Sequence, residues 1–159
     1  MQEYGSVVEI VEIAKQYEGG EMDIKTKGLK VFRILEIIKD VPDKLYSGAI
    51  VNYPDSNNNG KSDLMRKILD DVRHLHSLLQ VSKDFKKEDN ELTTFEVAHH
   101  IGLTLQEEYE LLLLLDERQR QEYLKRHLAR AIPMVNTMEQ LKEKIKLNGH
   151  FKNLSGFDW

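Results

Sequence analysis

"PDSNNNGKSDL", Pro54 to Leu64, divides the chain in two. The apolar run "YSGAIVNY", Tyr46 to Tyr53, leads into it, and the helical pattern "DLMRKILDDVRHL", Asp63 to Leu75, leaves it. Gly60-Lys61-Ser62 has the form of the end of a phosphate-binding loop. Asp55, Asn57, Asn59 and Gly60 have the form of the start of a calcium loop. The choice between these readings fixes the fold class, because a phosphate loop belongs to a parallel sheet with crossover helices.

Neither motif is complete. A phosphate loop needs glycine at both ends so that backbone amides can wrap the phosphates, and the first glycine position holds Asp55, whose carboxylate repels a nucleotide. "LLLLLDE", Leu111 to Glu117, imitates the strand and acid that hold magnesium. However, Thr104 with Glu107 forms a capping box that opens a helix there. The calcium reading fails at its last ligand, where Arg66 stands in place of the bidentate carboxylate. What remains is a polar loop of turn-forming residues.

Before this loop the pattern is that of strands. In "EMDIKTKG", Met22, Ile24 and Thr26 point one way and Asp23, Lys25 and Lys27 the other. Gly28 interrupts, as at a bulge or sharp bend, and "LKVFRILEIIK" resumes in branched and aromatic residues. "EGGE", Glu18 to Glu21, is a hairpin turn signal. The opening "GSVVEIVEIAKQY" is ambiguous: Val7, Ile10, Val11 and Ala14 have helical spacing, while β-branched content and the following turn favour a strand, which is the reading adopted. "VPDK" turns the chain into a strand over Tyr46 to Tyr53.

After the loop the pattern is helical. Ser62 is the expected cap of a helix carrying Leu64, Ile68, Leu69, Val72, Leu75 and Leu79 on one side. "KDFKKEDNE" reads as a charged connector, and capping boxes at Thr93/Glu96 and Thr104/Glu107 open two short helices. A long helix is expected from about Glu117 to Leu147, with a kink or short break at Pro133 and a stop at Asn148-Gly149. The fold class is therefore α+β, with an antiparallel β lobe over 1–60 followed by an all-helical lobe over 61–159.

Composition narrows function. The chain has 159 residues, of which 40% are hydrophobic and 31% charged, and a net charge of -4. That is the profile of a folded globular protein. The acidic balance disfavours nucleic acid, which needs clustered Lys and Arg. No apolar run approaches the ~18 residues of a membrane span. The lack of cysteine excludes disulfides and thiolate metal sites and suits the cytoplasm. His99-His100 lacks ligand spacing for zinc, since neither has a second ligand one turn away at Leu103 or Thr104. His76 reads as a hydrogen-bonded residue at the core edge, while His127 and His150 stand alone. No catalytic, cofactor-binding or metal-binding residue is assigned.

Three segments together, "YGSVVEIVEI", "GGEMDIKTKGLKVFRILEI" and "YSGAIVNY", resemble the central β part of the Lon protease N-terminal domain family. "FEVAHHIGLTLQEEYELLLLLDERQRQEYLKRHL" resembles that domain's helical lobe, and the likeness spans roughly Gln2 to Leu154. The resemblance implies a strongly bent, PUA-like β lobe joined to the helices. It also implies a protein-binding, substrate-recognising role without catalysis. The family's opening proline-rich strand and following helix have no counterpart here, and no ATPase or Ser-Lys peptidase domain follows. The expectation is therefore a non-enzyme lacking the first part of the domain, to which the family's ATP-dependent protease activity does not belong.

The partners this implies are unfolded or partly folded proteins and peptides, with neither nucleic acid nor membrane. Open sheet edges around Val7 to Ile13 or Leu29 to Ile37 offer a template for an added strand, or for a second copy of the chain. The expected peptide-binding residues are Leu29, Val31 and Phe32, together with Phe151, Phe157 and Trp159 of the aromatic tail. A structural or oligomerisation role is the alternative. RNA binding by analogy with PUA-like folds is opposed by the acidic balance.

Overall fold

A computed structural model describes residues 2–82 and 85–152, with side chains through 147. It is an α+β chain in two compact units, Met1–Asn57 and Asn58–Trp159, whose boundary falls inside the polar loop. The first unit is a three-stranded antiparallel sheet of order β1-β2-β3: β1 Tyr4–Gln16, β2 Met22–Ile38 and β3 Gly48–Asn52. The second holds α1 Ser62–Leu78, α2 Thr94–Ala98, α3 Leu105–Leu113 and α4 Glu117–Lys152, with a 3₁₀ turn at Asp89–Glu91. Among the described residues no helix is long and apolar enough to cross a membrane.

The ambiguous first segment is a strand, and its pairing explains the ambiguity. Ile10 faces Thr26 and Glu12 faces Lys25, so Val11 is an extra residue; Ile13 faces Ile24 and Lys15 faces Asp23, so Ala14 is another. Each bulge shifts the alternation by one, so the helix-like spacing becomes two clean faces. Glu9, Glu12 and Lys15 stand opposite Lys27, Lys25 and Asp23, and the Lys25–Glu12 pair closes at 2.7 Å. Val8, Ile10 and Ile13 share the other face with Ile24 and, further along β2, Met22. The glycine turn behaves as read: the Tyr17 amide donates to the Glu21 carbonyl at 2.9 Å, and Gly20 sits at φ 88°.

β2 runs unbroken through Gly28. The irregularity there is a bulge, with Val7 opposite Lys30, Val8 opposite Gly28 and Leu29 extra. The expected open edge from Leu29 to Ile37 is corrected in part, because β3 pairs along Arg33–Ile38 and leaves only the Leu29 to Phe32 portion uncovered on that side. The third strand is also shorter than the Tyr46 to Tyr53 run.

The helical unit has an apolar core. Ile68, Leu69 and Val72 of α1, Val97 of α2, Leu111 of α3, and Leu124 and Leu128 of α4 are almost wholly buried. Both capping boxes form: Glu96 accepts from the Thr93 amide at 2.9 Å, and Glu107 from the Thr104 amide at 2.9 Å. The start of α1 differs from expectation. The cap position is Lys61, not Ser62, and its amide is taken by the Gln121 side chain at 2.9 Å. A break at Pro133 and the stop at Asn148-Gly149 do not occur in α4. The helix passes Pro133 without a break and continues beyond Asn148-Gly149 to Lys152. Around the proline, the Thr137 hydroxyl donates to the Pro133 carbonyl at 2.8 Å.

Candidate functional site

The polar loop that raised the nucleotide and calcium readings is tied to the first turns of α4. Arg120, 2% exposed, donates through Nη2 to Asn58 Oδ1 at 2.9 Å and through Nη1 to the Leu114 carbonyl at 2.7 Å. Its Nε reaches Glu117 Oε2 at 2.9 Å, and Glu117 in turn accepts from the Thr94 amide and hydroxyl at 3.1 and 2.9 Å. The Phe95 ring stacks on the guanidinium at 4.6 Å. A buried Arg–Glu pair survives only when its remaining hydrogen-bonding capacity is met, and here it is. Gly60 has Gln121 and Glu117 against its α-carbon, leaving no room for a β-carbon. Asn58, Gly60 and Lys61 are thus structural, held to α4 within the helical unit.

Two other places have the geometry of binding surfaces. The first is the apolar face of the β1–β2 ribbon. Ile10 is 59% exposed and Ile24 44%, and Val8, Ile13 and Met22 are exposed beside them. Opposite strands satisfy each other's backbone groups only on the shared side, so the outer edge of β1 has no strand pairing within the described residues. Of the residues expected to bind peptide, Leu29 is exposed at its bulge, whereas Val31 and Phe32 are half-buried. Neighbours in a strand point to opposite faces, so Val31 and Phe32 do not share one. The Phe32 ring lies across Gly5, with Cζ 2.6 Å from where a β-carbon there would stand. Phe151, Phe157 and Trp159 lie outside the described side chains.

The second is an open cleft of about 430 Å³ within the helical unit, between the end of α1, the turn after α2 and the middle of α4. Its walls are apolar, from Leu75, Ile101, Ala131 and Val135, with Glu107, His127 and Arg130 on one side. His127 does not stand alone, as the sequence had suggested. Its Nε2 donates to the Ile101 carbonyl at 3.0 Å, and Nδ1 lies 3.3 Å from Glu107 Oε1. The Ile101 carbonyl can only accept, which places a proton on Nε2. Glu107 is held below the usual carboxylate range, first by the Thr104 amide, with the Thr104 hydroxyl and His127 adding to it against the opposing effect of burial.

His76 is the core-edge residue it was read to be, with Nε2 2.8 Å from the His100 carbonyl. His99 turns outward to Glu108 at 3.1 Å, while the His100 ring meets Phe85 edge-on, so the adjacent pair splays apart. Among the described residues no group of three or more His, Asp or Glu is placed to hold a metal ion. The chain matches no protein-family model and no curated protein.

Proposed function

We propose that the chain is a non-catalytic module that binds extended apolar segments of unfolded or partly folded proteins, as implied by its resemblance to the substrate-recognition domain of Lon proteases. The observation that carries this reading is the apolar face of Val8, Ile10, Ile13, Met22 and Ile24, exposed beside the unpaired edge of β1. An extended peptide adding to that edge gains backbone hydrogen bonds, and its alternate side chains meet the apolar face. The opposite face carries charges of both signs across the two strands, with Lys25 and Glu12 ion-paired, so an apolar segment gains little there. The bulges at Val11, Ala14 and Leu29 add the twist and bend that a PUA-like lobe needs. A cytoplasmic setting belongs to the same proposal.

A second reading, a structural or oligomerisation module, is favoured by α4. The stripe of Leu124, Leu128 and Ala131 continues through Val135, Met138 and Ile145, and Met138 and Ile145 are exposed. Light scattering after size-exclusion chromatography, with and without denatured casein, separates the two. Binding of unfolded chains gives a stable complex whose mass includes casein. A dimer that takes up no casein supports the second reading, and a monomer that takes up none contradicts both.

A further inference from the structure

The cleft in the helical unit has the chemistry of a small-ligand site. Its volume of about 430 Å³ lies within the range of small-molecule pockets. Leu75 and Ile101 at its base are 3% exposed each, and Met134 at its side is 64% exposed, so an incoming apolar group finds a fixed floor and an adaptable wall. The polar groups are not equivalent. Glu107 has both carboxylate oxygens engaged: Oε2 by the Thr104 amide and hydroxyl at 2.9 and 3.0 Å, Oε1 by His127 at 3.3 Å. His127 is committed through both nitrogens. Arg130 is different. Its side chain is 72% exposed and forms an ion pair with Glu107 at 3.8 Å, too long for a hydrogen bond, so its donors remain available to a second acceptor.

We propose that this cleft binds an apolar monocarboxylate, its hydrocarbon part lying against Leu75, Ile101 and Val135 and its carboxylate paired with Arg130. Guanidinium and carboxylate match in a two-point geometry, which fixes the orientation of a ligand whose remainder is held only by burial. A free fatty acid and the C-terminal residue of a peptide present the same chemistry. The cleft shares no residue with the sheet surface, so this proposal stands or falls separately from the binding of extended chains.

The test is a titration of the full ¹⁵N-labelled chain with octanoate, octanol and octylamine, following the backbone amides of Gly102, Ala131 and Val135. The expected result is saturable one-site binding of octanoate, about two- to fivefold tighter than octanol or octylamine, as an exposed ion pair provides. Arg130→Gln, at an exposed position, should reduce octanoate to the level of octanol, and Ala131→Phe should block the cleft to all three. Equal binding of octanoate and octanol, an unchanged affinity in Arg130→Gln, or no saturation by octanoate would each overturn the proposal. A short peptide ending in leucine, as the free acid and as the amide, identifies the source. Displacement of octanoate by the acid alone assigns a peptide C-terminus, and displacement by neither assigns a fatty acid. Equal displacement by both contradicts the role of Arg130.

Discussion

The backbone amide of Lys61 donates to Oε1 of Gln121 at 2.9 Å, joining the residue that precedes α1 to the first turns of α4. The helix N-terminus that a phosphate loop would open to a nucleotide is occupied here by a side chain of the same unit. Gly60, next to it, has the position of a β-carbon 2.9 Å from Glu117 Cγ and closer still to Gln121. Gly60→Ala is therefore expected to lower stability by about 1–3 kcal/mol through overpacking. Urea unfolding checks this, and an unchanged midpoint would show that the loop yields freely.

The Arg120–Glu117 pair gives a sharper expectation. Arg120→Met leaves Glu117 buried with its charge uncompensated, and the loss should be about 3–5 kcal/mol. Replacing both, Arg120→Met with Glu117→Leu, removes the orphaned charge and should recover part of that loss, although Thr94 then loses its acceptor. A double-mutant cycle in urea measures the coupling. Strict additivity of the two single effects would contradict a directly coupled pair.

How much of this was legible in the sequence depended on whether a signal was local. The two capping boxes and the glycine turn at Gly20 are satisfied by residues within a few positions, so their spacing announces them. The start of α1 could not be read the same way. Ser62 looked like the cap, but the group that satisfies the Lys61 amide comes from Gln121, a tertiary partner that no local pattern reveals. The first strand looked half helical because Val11 and Ala14 are bulged, and a bulge is decided by pairing with β2. Nothing in the local sequence singles out Arg120 among the many charges of the long helix. Its burial follows from Thr94, Leu114 and Asn58 converging on it. His127 looked solitary because Glu107 lies on another helix; the one hint was that Glu107 already carried a capping role.

Acid should weaken the helical unit in a defined window. Glu107 and Glu96 are both lowered from the ordinary carboxylate value of 4.5. For Glu96, burial acts upward, but Lys87 and the Thr93 amide and hydroxyl outweigh it. A lowered folded pKa means that the unfolded chain takes up these protons first. Their contribution is thus present above about 4.5 and is lost as pH falls through the folded values. Glu107→Gln should flatten the fall in urea midpoint between about pH 5 and pH 3, and an identical slope in the variant would contradict the assignment.

Tyr123 has the opposite sign. Burial, followed by its hydrogen bond to Glu110 at 2.9 Å, pushes the phenol up to about 12. The unfolded chain releases this proton near 10, so the contribution is present below that pH and is lost as pH rises toward the folded value. An ultraviolet titration should show a late-ionising phenol that is missing in Tyr123→Phe. If the two proteins titrate alike apart from one ordinary tyrosine, the hydrogen bond is not formed in solution.

The most direct test of peptide recognition is hydrogen exchange on the full chain, with and without denatured casein, read over Tyr4–Gln16 and Met22–Ile38. The expected result is new protection of β1 amides, lost when Ile10 and Ile24 are replaced by lysine. Protection absent from β1 despite casein binding, or retained in full by the lysine variant, would contradict recognition by the edge and apolar face of this sheet.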